Sequence, residues 1–385
     1  MRYARVRMQK SMRNMVPEAK LHERTVARKA DIRGDYFRDT TAILHSYPFR
    51  RLKNKTQVFF APRNDHICTR IEHVFHVASI ASAICKGLGL DSDLAWAIGL
   101  GHDLGHPPFG HTGEEVLDEL LSDRGGFRHE MNSLRVADIL TGYGEGLNLT
   151  YAVRDGIVSH CGESFEQTIT PRTTAPALEE VSDRVLVPCT YEGSVVRFAD
   201  KIAYLGRDIE DALQLKVIAP DEIPPQASSV LGSTNRDIIS NLVHDVIRSS
   251  QGEQSVSCSD ASFEALLALK EFNYRRIYTS PLLTGYHNYF HRVLKLLFSY
   301  LGEIFERYAY DKVAYKEERN LLAVRFGDYL DKMHACYTER NESANQIVLD
   351  YVAGMTDTYA LQSANEVLNP KRMHEEFDRF ILEGE

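Results

Sequence analysis

HDLGHPPFGHTGEE, residues 102–115, carries three histidines and three carboxylates in fourteen positions, separated by glycines and prolines. A hydrophobic core has no use for so many titratable groups, and a solvated loop does not favour histidine. The stretch also fixes the secondary structure around it. LAWAIGLGHD (94–103) reads as a short, mostly apolar helix. It must stop soon after Asp103, because Gly105, Pro107 and Pro108 follow. Thr112 and Glu115 read as a capping box opening the next helix, ahead of Val116, Leu117, Leu120 and Leu121. The spacing predicts two helices joined by a sharp bend, with both ends facing one cavity.

Helical signals extend in both directions. HVFHVASIASAICKGL (73–88) places Val74, Val77, Ala78, Ala81, Ile84, Cys85 and Leu88 at helical spacing and ends near Gly87 and Gly89. A long helix is predicted from about Ser194 (SVVRFADKIAYLGRDIEDAL). Residues 162–192 mix Pro, Thr and β-branched residues and read as an insertion with a short hairpin. Beyond about 216 come further amphipathic segments, broken at 221–229 and 250–260. The fold class is all-α. The expected layout is a basic arm over 1–40, a helical core over 41–215 and a helical C-terminal region over 216–385.

The composition is that of an ordinary globular protein, 43% hydrophobic and 26% charged, and 385 residues suffice for a sizeable core. A net charge of −9 argues against a surface that binds nucleic acid or membrane throughout. Basic residues nevertheless cluster at Arg2, Arg5, Arg7, Lys10, Arg13, Lys20, Arg24, Arg28 and Lys29, and again at Arg50, Arg51, Lys53 and Lys55. These read either as a solvated arm and face or as an anion-collecting rim. Six cysteines without a CxxC pair fit a reducing compartment rather than a disulfide framework. There is no signal-peptide pattern and no run of 18 apolar residues, so a cytoplasmic location and no membrane association are expected.

Nine of the fifteen histidines fall between residues 45 and 160, which favours one shared site. Histidine with carboxylate and no thiolate suits Mn, Fe, Ni or Mg better than a structural zinc. His102 and Asp103 can reach one ion where their helix ends, with His73 as a third donor. On the long helix Asp200, Tyr204 and Asp208 recur in steps of four, opposite Val195, Phe198, Ile202 and Leu205. That stripe is either a solvated face or a cleft wall with Asp200 as a ligand.

The chain resembles the HD-domain metal-dependent phosphohydrolases, and within them the deoxynucleoside triphosphate triphosphohydrolases (dGTPase-like). The resemblance rests on ILHSYPFRRLKNKTQVF (43–59), TRIEH (69–73), GHDLGHPPFGHTGEE (101–115), GGFRHEMNSLRV (125–136) and VVRFADKIAY (195–204), with FNYRRIYTSP (272–281) a weaker match. It implies His73, His102, Asp103 and Asp200 as the metal set, and His111 as the catalytic histidine with Glu114 as its carboxylate. It makes His106 and His129 further members of the active-site histidine group. It implies Arg70 as the α-phosphate arginine, and Lys201, Tyr204 and Lys270 as phosphate-side contacts. Gln57 and Asp208 would read the sugar 3′-hydroxyl, and Tyr278 would pack where a 2′-hydroxyl would have to fit. The cofactor implied is a divalent ion, Mn2+ or Mg2+ first, with Fe, Co, Ni or Zn as alternatives.

The implied reaction is hydrolysis of a dNTP at the α-phosphate, giving deoxynucleoside and triphosphate. The resemblance also implies a homo-oligomer, dimer to hexamer, and a dNTP as allosteric activator. The alternatives are an HD phosphohydrolase on another ester, such as a nucleoside monophosphate or alarmone, and a nucleic-acid-binding regulatory protein on the same scaffold. The basic arm bears on the last of these through weak single-stranded nucleic acid binding.

Overall fold

A computed structural model describes residues 12–60, 64–122, 125–161, 165–178 and 186–369. Arg2, Arg5, Arg7 and Lys10 of the basic arm, part of the 162–192 insertion and residues 370–385 lie outside the described residues. The described chain is helical almost throughout, as expected. Three helices lead in: α1 (Glu18–Leu21), α2 (Asp35–His45) and α3 (Tyr47–Arg51). The central group is α4 (Arg70–Leu88), α5 (Ser92–Gly101), α6 (Gly110–Leu120), α7 (His129–Arg135), α8 (Tyr151–Val158) and α9 (Tyr191–Gln214). Next come α10 (Pro225–Leu231), α11 (Asn235–Ser250) and α12 (Asp260–Asn273). The chain continues through α13 (Pro281–Tyr308), α14 (Leu321–Glu339), α15 (Ala344–Ala353) and α16 (Asp357–Leu368). Among the described residues no helix is long and apolar enough to cross a membrane.

Two hydrophobic cores organise these helices. The first gathers buried residues from Val16 to Ile277, with α4, α5 and α9 at its centre. The second is built by α13 to α16 together with Phe109, Val116, Leu117, Leu121 and Phe127. Packing therefore runs across residue 216, and α10 to α12 join the first core. The seam between the cores falls inside the histidine-rich bend, since Leu104 belongs to the first and Phe109 to the second.

Several local expectations are corrected. Thr112 does not cap α6: the helix begins at Gly110, after Phe109 and Gly110 both turn left-handed (φ 66° and 62°). The capping box lies instead on α4, between Thr69 and Glu72. The long helix starts at Tyr191, where the Thr190 side chain accepts from Gly193 N, rather than near Ser194. The break at 221–229 contains a 3₁₀ turn and most of α10, because Pro225 is well placed at the start of a helix. The described part of the insertion forms no hairpin of its own; β1 (Thr168–Ile169) pairs antiparallel with the distant β2 (Val256–Ser257).

Two cations of the basic segments, Arg24 and Lys55, have internal partners. Arg24 is buried and paired with Asp39 at 2.5 Å, and it donates to the Asn148 carbonyl. Lys55 is buried and donates to the carbonyls of His106 and Ala353, the latter at 3.0 Å.

The bend is held from both cores. Asn132 Nδ2 donates to Gly105 O at 2.6 Å, and Gly105 N donates to Ser133 Oγ at 2.9 Å. A Cβ on Gly105 would lie 2.2 Å from the backbone of Asn132 and Ser133. Gly105→Ala should therefore cost about 1–3 kcal/mol through overpacking, read as a lower urea midpoint. From the second core, Asp357 accepts from Phe109 N at 2.9 Å and from Thr56 N and Oγ1 at 2.8 and 2.6 Å. The Phe109 ring stacks on Phe290 at 4.2 Å. Orphaning the two backbone donors in Asp357→Ala should cost about 2–4 kcal/mol in equilibrium unfolding; an unchanged midpoint would rule out Asp357 as a structural clasp.

Candidate active site

Side chains from both ends of the bend converge on a cavity of about 570 Å³. α4 contributes Arg70 at its first position and His73 one turn later. The turn after α5 contributes Asp103 and His106, with His102 at the C-cap of α5 buried behind them. α6 brings His111 and Glu114, and α7 opens with His129. α9 lays Asp200, Lys201, Tyr204 and Asp208 along one wall. The stripe on α9 is thus a cleft wall and not a solvated face.

The expected metal donors are brought together. Donor atoms of His73, His102 and Asp103 lie within 4.8 Å of one another. Asp200 Oδ1 is 3.0 Å from His73 Nε2 and 4.0 Å from His102 Nε2, and Asp103 Oδ2 is 3.7 Å from His102 Nε2. His102 Nδ1 lies 2.7 Å from the Gly99 carbonyl, which can only accept, so Nδ1 carries the hydrogen. That leaves Nε2 as a lone pair, and this buried atom has no hydrogen-bond partner. An imidazole whose rear nitrogen donates to a carbonyl while the front one faces two carboxylates fits a metal ligand. Burial, outweighing the neighbouring Asp103, holds His102 down at about 4, so the ring is neutral at physiological pH. Burial opposes ionisation of Asp103 and Asp200. Even so, Arg70 and His102 hold Asp103 well below the usual carboxylate range, and His73 does the same for Asp200.

Arg70 is 2% exposed; its Nη1 meets Asp103 Oδ2 at 2.5 Å while Nε and Nη2 have no partner. Gln57 Oε1 is likewise buried and unpartnered. At the far wall Tyr278, closing a π-helical turn over Tyr274–Tyr278, donates to Asp208 Oδ2 at 2.6 Å. Burial raises Asp208 to about 7, which allows that carboxyl to take up a proton near neutrality. Asp208 lies two turns from Asp200, roughly 12 Å along the helix.

The acid–base group is arranged differently from the expected pairing of Glu114 with His111. His111 is 69% exposed at its side chain and its Nδ1 is 3.9 Å from Glu114. Glu114 instead accepts from His129 Nδ1 at 2.8 and 3.0 Å and from His129 N at 2.9 Å, and stands 3.8 Å from His106 Nε2. His106 Nε2 has no hydrogen-bond partner. Burial disfavours the Glu114 carboxylate, but His129 and His111 hold it ionised; burial and Arg70 keep His106 neutral. Lys201 and Lys270 both lie over the Phe165 ring, at 4.9 and 4.3 Å. Lys201 borders the cavity, whereas Lys270 is not part of its wall. Burial and Arg197 lower Lys201 to about 8.

Among the cavity residues that the sequence reading did not assign to the site are Cys161, His160 and Arg128. Cys161 Sγ is 3.2 Å from both His129 Nε2 and His160 Nε2. Burial opposes the thiolate, yet the two imidazoles lower Cys161; burial likewise opposes the His160 imidazolium, yet Cys161 raises it to about 9. The clustering of histidines was the one available signal for His160.

Comparison with known proteins places the chain in a family. The HD domain matches residues 70–205, and the phosphohydrolase-associated domain matches residues 256–366. A deoxyguanosinetriphosphate triphosphohydrolase-like protein of Caldanaerobacter subterraneus subsp. tengcongensis is 38% identical over 90% of this chain and 89% of its own. This chain belongs to the HD-domain, deoxyguanosinetriphosphate triphosphohydrolase-like family. A second member of the family, from Desulfatibacillum aliphaticivorans, is 39% identical over 89% of this chain and 90% of its own. A solved structure of a hypothetical protein from Aquifex aeolicus aligns over 89% of this chain and 70% of that one. At 17% identity and a TM-score of 0.39, that likeness carries no weight. In this HD-domain protein the four expected metal donors, His73, His102, Asp103 and Asp200, all fall within the matched segment.

Proposed function

We propose that this protein hydrolyses deoxynucleoside 5′-triphosphates at the α-phosphorus, releasing deoxynucleoside and inorganic triphosphate. The observation that carries the reading is Arg70. A buried guanidinium beside a cluster of metal donors, with two nitrogens unsatisfied, calls for an oxyanion at that point of the cavity. Relatives named deoxyguanosinetriphosphate triphosphohydrolase-like support the choice of ester.

His73, His102, Asp103 and Asp200 would hold a divalent ion of the Mn2+ or Mg2+ class, a set of nitrogen and oxygen donors without thiolate. When bound, such an ion draws charge from phosphate oxygens and makes water more acidic. Arg70 grips the α-phosphate and fixes its orientation. Water oxygen bonds to phosphorus, the bond from phosphorus to the 5′-oxygen breaks, and a proton must end on the 5′-oxygen. His111 and His129 are the groups able to carry it, and Glu114 between them stabilises their charged forms. Lys201 and Tyr204 continue the phosphate side. Gln57 and Asp208 meet the 3′-hydroxyl, and the Tyr278–Asp208 bond closes the wall where a 2′-hydroxyl would project.

The test is product analysis. With Mn2+ or Mg2+, each dNTP should yield inorganic triphosphate and deoxynucleoside, and the ribonucleotides far less. Pyrophosphate or orthophosphate as the first product would refute α-phosphorus attack.

A further inference from the structure

Behind the metal donors lies a second convergence that shares no residue with them. His160 Nδ1 donates to the Ile157 carbonyl at 2.6 Å, and His129 Nδ1 donates to Glu114 at 2.8 Å. Both rings are therefore anchored through Nδ1, and their Nε2 atoms face each other at 3.3 Å. Cys161 Sγ stands 3.2 Å from each. Two imidazole Nε2 atoms and a sulfur at this mutual spacing need protons or a cation between them. A proton serves one pair of atoms, whereas a single cation serves all three, which lie 3.2 to 3.3 Å apart.

Zinc bonds of about 2.0–2.3 Å at tetrahedral angles place nitrogen and sulfur donors roughly 3.3–3.6 Å apart, close to the spacing seen here. Rings anchored by a carboxylate and a carbonyl are the support that metal-binding imidazoles usually have. Asp103 Oδ1, 3.8 Å from His129 Nε2, stands beside the open side of the triad.

The geometry points to a second cation site, formed by His129, His160 and Cys161, for a borderline-soft divalent ion of the zinc class. It differs in chemistry from the site of His73, His102, Asp103 and Asp200, which lacks sulfur. The His102 and His160 rings are 4.8 Å apart, so the two sites are neighbours in one cavity. Asp103 lies between them, with Oδ2 towards His102 and Oδ1 towards His129. The inference does not depend on the substrate proposed above; with the ion bound, His129 Nε2 is a ligand and the proton is carried by His111.

The test uses the full-length protein freed of metal and titrated with Co2+ alone. A thiolate-to-cobalt charge-transfer band is expected, with a second equivalent of bound metal. Cys161→Ser should remove the band and one equivalent while keeping the other. His160→Gln, which leaves the thiol in place, should weaken Co2+ binding at the band-forming site. Asp200→Asn should weaken only the equivalent without the band, so failure at the first site is distinguishable from failure here. Zn2+ should also shield Cys161 from alkylation, read by peptide mass. A wild-type titration with no thiolate band, or a band that survives Cys161→Ser, overturns the proposal.

Discussion

His102→Ala should leave a folded protein that no longer retains the ion expected at His73, His102, Asp103 and Asp200 and turns over at least about 10³-fold more slowly, given that loss of a Lewis acid removes about 4 kcal/mol of transition-state stabilisation. The expectation rests on what His102 does in the fold. Its Nδ1 donates to Gly99 O, while its Nε2 serves nothing in the protein. Removing it frees one carbonyl and leaves a small cavity, a loss of stability modest beside the loss of a metal donor. Metal content after dialysis and single-turnover rates check it. A variant that kept both metal and rate would show that the ion, if any, sits elsewhere.

Glu114→Gln should act on kcat with metal content unchanged. An amide cannot stabilise the imidazolium of His129 as the carboxylate does at 2.8 Å, and general acid–base catalysis is worth roughly 10² to 10⁴ in rate. The pH profile separates this from mere misfolding. Burial lowers His129, while Cys161 and Glu114 together raise it well above the ordinary histidine value. Withdrawing the Glu114 charge makes the imidazolium easier to deprotonate, so the limb of the profile that reports its loss should move to lower pH. A uniform fall in rate with an unmoved profile would place Glu114 outside the proton path. His111→Ala in parallel shows which of the two histidines carries the proton, since His111 stands 3.9 Å from Glu114 and largely in solvent.

The convergence of the residues expected as metal donors was partly legible in the sequence because some of its signals are local. His102 and Asp103 sit where Gly105, Pro107 and Pro108 end a helix, and Asp200 recurs with Tyr204 and Asp208 at helical spacing. The start of α6 differs because Thr112 and Glu115 imitate a cap, while Phe109 and Gly110, both left-handed, begin the helix three residues earlier. Lys55 looked like one more exposed cation in a basic run; its partners are the carbonyls of His106 and Ala353, which no local pattern predicts. Cys161 was weighed only against disulfide and CxxC patterns, and its meaning comes from the ring of its neighbour His160 and that of His129 on α7. The strand at 168–169 pairs with 256–257 for the same reason: the partner is remote in the chain.

The clasp formed by Lys55, Asp357 and Phe290 bears on how the protein can be cut. A fragment stopping at residue 277 would keep His73, His102, Asp103 and Asp200, yet it would forfeit the Ala353 carbonyl, the Asp357 carboxylate and the Phe290 ring that pin residues 106–109. Such a piece would be a cradle with a slack hinge, able to hold an ion but not to aim it. The C-terminal half is in that sense a jig for the chemistry carried by the other half, and the two are expected to be inherited, lost and engineered as one.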